Sequence, residues 1–478
     1  MTASESRHRW FTLAVVGAAF FMSILDVAIV NVALPSIQKD LHIAESTVQW
    51  VVTAYAITFG GFLLLGGRMA DLLGRRLMFI VGVTLFTVAS LTCGLASSSE
   101  VLIASRAVQG IGAAIINPAA LSIVTTTFPE GAERNKALGI WGALGGSGAA
   151  AGVLFGGILT KYLGWEWIFF VNIPVGALVL SLTRPIVRES HADLDHRRLD
   201  AFGALSVTGG LALLVYAISK APDVGWISVE TAIAGGVAIA ILAGFVVWET
   251  RTFAPLVPFS IFRIRAVAAA NIVSLLMAAV MFSTFFILTL YVQQVLGWSA
   301  LKTGLTFLAT AGSVIVWAGV SQALVTKVGP RPIMTIGLTI IALVVLGYTR
   351  LPVDGHYWPD LLPFYLVFAL GMAFAFIPIT IAAFMGVAPQ QAGLASGLLN
   401  TNQQIGGALG VALSSTIFNS HAKSGHFTPE AFTSGYHWAF AALVFVAALG
   451  AVSAFTLLRG VGPVHEPEAE PAPAPATV

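Results

Sequence analysis

The sequence predicts an all-α integral membrane protein. It would have fourteen transmembrane helices, as two six-helix bundles with two further helices inserted between them, and both termini in the cytoplasm. Three observations predict this. The 478 residues are 57% hydrophobic and only 10% charged, where soluble domains are nearer a quarter charged. Apolar runs of about 18–28 residues recur along the chain, each enough to cross a hydrocarbon core roughly 30 Å thick. The remaining charges are segregated: with both ends inside, seventeen Lys and Arg fall in inside segments and six in outside segments, as the positive-inside bias requires. The near-neutral balance of +2 argues against a nucleic-acid partner.

In order, a cytoplasmic tail (1–10) precedes the N-terminal bundle (11–185). The first run, 11–34, is too long for a signal-peptide core and has no small-residue cleavage site after it, so it is expected to stay. It carries Asp26. The second run, 48–67, carries Tyr55 and ends on a charged loop. The third, 77–97, holds Cys93, the single cysteine, which excludes an intrachain disulfide. The fourth, 101–124, carries Arg106, Gln109 and Asn117. The fifth, 137–160, repeats glycine at Gly148, Gly152 and Gly156, with Gly157 beside them, a close-packing pattern. The sixth is 166–183. A linker with two inserted helices (186–265) follows, with runs at 199–219 and 229–249. Gly203, Gly209, Gly210, Gly235 and Gly236 suit these two helices to packing on each other at the periphery. The C-terminal bundle (266–460) holds runs at 266–293, 303–325, 332–350, 361–385, 393–418 and 435–458. The tail, 461–478, is rich in Pro, Ala and Glu and is expected to be disordered and cytoplasmic.

The two bundles echo each other. Gly74 matches Gly329 at an offset of 255, Gly152 and Gly156 match Gly406 and Gly410 at 254, and Pro118 matches Pro378 at 260. Parallel six-span halves about a central site are a transporter architecture.

The loop Gly67–Arg76 reads G-R-M-A-D-L-L-G-R-R. Arg68, Arg75 and Arg76 are costly in hydrocarbon and should stop at the membrane face. Asp71 can pair with an arginine or cap the next helix. Gly67 and Gly74 allow close approach and a tight turn. The loop is either an ordinary topology signal or a latch between helices.

Ionisable residues within spans are rare and mark function by default. Here they reduce to Asp26 and Arg106, with Glu249 at a helix end, able to reach the interface. A structural ion pair is one reading and a proton site the other: burial disfavours a carboxylate and a nearby cation favours it, so small movements can change its protonation. At the 255 offset Asp26 falls on Met281 and Arg106 on Leu361, or on Leu366 at 260, so the second half has neither charge. It offers Phe282, Phe285, Phe286, Phe364, Phe368, Phe374 and Phe376 instead. Candidate cavity residues are Tyr55, Gln109, Asn117, Phe282, Phe286, Gln294, Phe374 and Asn402. H-A-D-L-D-H at His191–His196 reads as a solvated linker rather than a metal site. No G-x-x-x-x-G-K-[ST] phosphate loop occurs.

These stretches carry a resemblance. The chain resembles the major facilitator superfamily, in its fourteen-helix drug–proton antiporter branch, from about residue 10 to 460. Gly67, Asp71, Gly74, Arg75 and Arg76 match the loop signature between helices 2 and 3. L-D-V-A-I-V-N-V-A-L-P (Leu25–Pro35) is similar to the first-helix signature, and R-A-V-Q-G-I-G (Arg106–Gly112) to the helix-4 signature linked to proton coupling. W-E-W-I-F-F-V-N-I-P (Trp165–Pro174) and L-Y-V-Q-Q-V-L-G (Leu290–Gly297) are further family-like stretches. The helix-5 antiporter signature keeps its glycines but reads Gly152-Val153 where Gly-Pro is usual.

The resemblance implies a proton-coupled secondary active exporter of small amphiphilic or hydrophobic compounds, working by alternating access, with no enzymatic activity. It needs no cofactor or metal beyond the proton gradient. Its partners are small amphiphiles, protons and the lipid bilayer, and it is expected to act as a monomer in the plasma membrane of a prokaryote. A single intramembrane acid suits neutral or singly charged substrates. The alternatives are a facilitator or metabolite exporter with weak proton coupling, and a non-transporting membrane sensor or scaffold.

Overall fold

The computed structural model describes residues 3–43, 45–191, 200–253, 255–422 and 429–462. Among these residues there is no strand. The first five helices are α1 (Ala3–Asp40), α2 (Glu45–Leu73), α3 (Arg75–Gly94), α4 (Ser99–Thr127) and α5 (Ala132–Tyr162). A four-residue helix, α6 (Trp167–Phe170), leads into α7 (Asn172–Ile186). The insertion is α8 (Ala201–Val224) and α9 (Val229–Glu249). The rest is α10 (Arg265–Leu290), α11 (Ala300–Val328), α12 (Pro330–Tyr348), α13 (Leu362–Phe384), α14 (Ala392–Ala422) and α15 (Pro429–Leu457).

Every apolar run of the sequence falls on helix. Among the described residues, twelve helices are long and apolar enough to cross a membrane. α5 and α14 lie outside that set although each has 31 residues. α14 is less apolar, carrying Asn400, Thr401, Asn402, Gln403 and Gln404 in succession. α1 begins at Ala3, so residues 3–10 of the expected tail extend the first helix. The tail from 463 onward and the linker from 192 to 199, with most of the H-A-D-L-D-H stretch, lie outside the described residues.

Local chemistry sets several helix starts. Side-chain oxygens of Ser98, Asp200, Ser228 and Ser299 accept backbone N–H groups in the first turns of α4, α8, α9 and α11, the usual answer to unpaired N-terminal amides. Gly74 and Gly329 precede α3 and α12 with φ of 113° and 84°. That region is open to glycine and strained for other residues, so the 255-residue echo corresponds to one sharp turn made twice.

Packing shows the same echo. α1 lies on α5 and α10 on α14; α3 lies on α4 and α12 on α13. Gly148, Gly152 and Gly156 form the α5 ridge against α1, where a Cβ on Gly152 would meet Ala28 and the Leu25 carbonyl and one on Gly156 the Ile29 carbonyl. Gly157 is half-buried beside them. Gly406 and Gly410 likewise meet the carbonyls of Leu275 and Ala279 on α10. These partners relate α1 to α10 by 250 positions, not 255. Asp26 therefore corresponds to Leu276 rather than Met281, and the second half still has no acid there.

α5 also packs on α11 and α13, and α2 on α14, which joins the two sets of helices. α8 lies against both α2 and α14, and α9 packs on α8. The expected glycine interface between α8 and α9 is only partly present. Gly203 faces Glu249 and Gly210 faces Leu242 and Ile241, but Gly209, Gly235 and Gly236 have nothing within 4 Å. Their faces point away from protein, so close packing is not why they are glycine.

Candidate functional site

Asp26 is fully buried two-thirds along α1. Arg106 lies two turns into α4 and is 1% exposed. Arg106 Nη1 donates to Asp26 Oδ2 at 2.6 Å and to Gln109 Oε1 at 2.7 Å. Gln109, one turn on, returns its Nε2 to Asp26 Oδ1 at 2.8 Å and to Ser90 Oγ of α3 at 3.1 Å. Asn172, first residue of α7, donates to Asp26 Oδ1 and to Ser90 Oγ, both at 2.9 Å. Arg106 Nε donates to the Val51 carbonyl of α2 at 3.0 Å, and the guanidinium stacks 4.3 Å above the Tyr55 ring. Cys93 is fully buried and touches Gln109 Oε1 at 3.7 Å.

One carboxylate thus accepts three side-chain donors, and five helices converge on it. Stripping a buried ion pair of one partner costs about 3–5 kcal/mol, because the other charge is stranded. Protonating Asp26 would cancel the attraction without removing the group. Arg106 would keep Val51 O, Gln109 Oε1 and the Tyr55 face as neutral partners, so it need not leave the protein interior. The arrangement can translate one proton into a loosened contact among α1, α2, α3, α4 and α7.

The Gly67–Arg76 stretch, expected as a loop, is instead the last turns of α2, the turn at Gly74 and the start of α3, and it forms a second buried site. Asp71 is fully buried; its Oδ1 and Oδ2 accept the Gly393 and Leu394 N–H groups at 3.0 Å each, at the N-terminus of α14. An anion there is favoured by the helix dipole. Arg75 Nη2 donates to Asp71 Oδ1 at 3.0 Å and also reaches the Pro389 carbonyl. Gly67 and Gly393 meet backbone to backbone, with no room for a Cβ on either. Asp71 does pair with an arginine. The helix it caps is α14, in the second half, and not α3. Glu189 caps α3 instead, accepting the Arg76 and Leu77 N–H groups at 3.0 and 3.1 Å, and its carboxylate lies 3.6 Å from Arg76 Nε. Arg68 is 8% exposed, with Nη2 donating to the Pro255 carbonyl at 3.3 Å. Arg68 and Arg75 are buried within the protein, paired by carbonyls and Asp71, and Arg76 is partly open.

The cavity candidates do not share one set of contacts. Tyr55 and Gln109 belong to the Asp26 network. Asn117 is buried and accepts Ser23 Oγ at 2.9 Å. Gln294 accepts the Tyr436 hydroxyl at 2.7 Å, and Asn402 donates to Asn271 at 2.7 Å. Phe374 is buried edge-on to Trp317, whereas Phe282 and Phe286 are 40% and 36% exposed. Sequence reasoning missed Ser90 and Asn172. Asn172 lay within the Trp165–Pro174 stretch already singled out; Ser90 had no signal, one serine in an apolar run. Glu249 ends α9, as expected from its run, and the structure adds that it is 4% exposed.

Comparison with known proteins places this geometry in a family. The model of the Major Facilitator Superfamily matches residues 16–411. The puromycin resistance protein pur8 of Streptomyces alboniger is 38% identical over 464 residues, covering 94% of this chain and 91% of that protein. The cephamycin export protein CmcT of Amycolatopsis lactamdurans is 38% identical over 460 residues, covering 95% and 94%. The solved human organic anion transporter MFSD10 shares the fold with a TM-score of 0.68 at 14% identity, covering 93% of this chain and 99% of that one. With a family model spanning most of its length and relatives well above 30% identity, the chain belongs to the Major Facilitator Superfamily of membrane transporters.

Proposed function

We propose that the protein is a proton-coupled exporter of small amphiphilic compounds, antibiotics among them, in the plasma membrane of a prokaryote. The observation that carries this reading is Asp26, a fully buried carboxylate in mid-helix tied to Arg106 and Gln109 of α4 and to Asn172 of α7. A proton arriving from outside neutralises Asp26 and releases Arg106. The helices of the first half then shift, and the substrate site between the halves changes the side it faces. Both termini and the Gly67–Arg76 loop face the cytoplasm in this reading, and α5 and α14 complete fourteen spans. The Asp71 contact with α14 then closes the cytoplasmic side, and exchange between open states requires it to break. The relatives named for puromycin and cephamycin supply the substrate class.

Val153 favours a second reading, a facilitator with weak coupling. It stands where the antiporter signature has proline, and it packs against Gly304 of α11. Proteoliposomes with an imposed pH gradient separate the two, with puromycin, a cephamycin and other amphiphiles as probes. Efflux accelerated by the gradient supports the exporter; efflux indifferent to it supports the facilitator; no movement of any probe opposes both.

A further inference from the structure

Glu249 ends α9, where a glutamate ordinarily reaches water and the helix dipole disfavours an anion. Here it is 4% exposed. Its Oε2 accepts the Val257 N–H at 3.0 Å. Three residues of the linker it grips, between α9 and α10, are buried: Leu256, Val257 and Ile261 are 1%, 2% and 1% exposed. Arg68 holds the same stretch from the other side through the Pro255 carbonyl. Arg68 lies three residues before Asp71, on the same side of α2, beside the Gly67–Gly393 crossing.

Two further groups complete the arrangement. Arg68 Nε and Glu249 Oε1 are both buried without a hydrogen-bond partner; the Leu256 N–H is near the carboxylate but makes no well-formed bond to Oε1. The two charges act on each other without forming one of the ion pairs found among the described residues. Asp200, which with Glu249 flanks Gly203, is occupied, capping α8 through Gly203 N and accepting Trp248 Nε1 at 2.7 Å. An acid from the inserted helices and a base from α2 therefore close on three linker residues.

We infer that Glu249 and Arg68 hold residues 255–257 as a strap beneath the α2–α14 contact, which makes Glu249 a positioning residue for the gate and gives the inserted helices a part in gating. The inference rests on the reading of the Asp71 contact as the gate. It explains why α9, which packs on α8 at the edge of the molecule, ends in a buried acid: the insertion anchors the strap.

The test uses thiol labelling of the full-length protein in membranes. Leu64→Cys is the reporter, because Leu64 packs against Gly397 just inside the α2–α14 crossing. Cys93 is kept, since it is fully buried. Glu249→Ala should raise the labelling rate roughly tenfold, the effect of losing one charge-assisted hydrogen bond. Glu249→Gln keeps an acceptor for Val257 and should give a smaller rise; it carries the test if the alanine variant does not accumulate. Arg68→Gln should raise labelling, and combining it with Glu249→Ala should add little. Unchanged labelling in the Glu249 variants, with only a lower melting temperature, would overturn the inference and leave Glu249 as linker packing. Asp71→Asn is the control: if it raises labelling and the Glu249 variants do not, the strap alone is wrong. If Asp71→Asn has no effect either, the gate reading fails.

Discussion

Asp71→Asn is the sharpest probe of the contact between the halves. The carboxylate accepts two α14 N–H groups and the Arg75 guanidinium, all in a buried setting. Hydrogen bonds to a charged group contribute about 1.5–3 kcal/mol against roughly 0.5–1.5 for neutral ones. An anion at a buried helix N-terminus adds up to about 2 kcal/mol. The amide has one acceptor oxygen instead of two and turns an NH2 toward either α14 or Arg75. These losses overlap, and the substitution should weaken the closed state by about 2–3 kcal/mol, roughly 30- to 140-fold in the opening equilibrium. Labelling of Leu64→Cys from the cytoplasmic side should accelerate by that factor, up to the limit set by the reagent. Transport turnover should fall while substrate binding persists. A labelling rate equal to the parent's, or slower, would show that the loop is a topology signal and that α14 is held by other contacts.

Two further outcomes follow from the geometry. Arg106→Ala should slow transport and move its pH optimum, because the charge facing Asp26 is gone; Arg106→Lys should restore part of the activity, since a point charge cannot serve Asp26, Gln109 and Val51 at once. An unaltered pH profile with full activity in Arg106→Ala would make the pair structural. Gly152→Leu should press α5 away from α1 at Ala28 and Leu25 and cost about 1–3 kcal/mol, read as a lower melting temperature in detergent; an unchanged value would show that the ridge tolerates bulk.

What the sequence made legible was whatever depends on composition and local pattern. Hydrophobic length located every helix, including α9 from Val229 to Glu249 at its observed limits. Rarity located Asp26 and Arg106, since a charge in hydrocarbon is conspicuous against leucine. Their partners were harder, because Ser90 and Asn172 become special only when α3 and α7 pack around Asp26. The loop was recognised but its target was not. Which helix Asp71 caps depends on a contact 322 residues away, and no local spacing encodes that. The helix-end position of Glu249 was legible, but its burial was not, because Leu256 and Val257 close over it only in the fold. The glycines of the insertion erred in the other direction, since small residues permit close packing without requiring it.

The central claim is that Asp26 carries the coupled proton, and substrate-dependent proton movement in proteoliposomes tests it most directly. With a pH-sensitive dye on one side, the parent should move protons when an exported compound is added. Asp26→Asn should move none, while still inserting, folding and binding that compound. Coupled proton movement at the parent's level in Asp26→Asn would contradict the account and leave the Asp26–Arg106 pair as a structural tie.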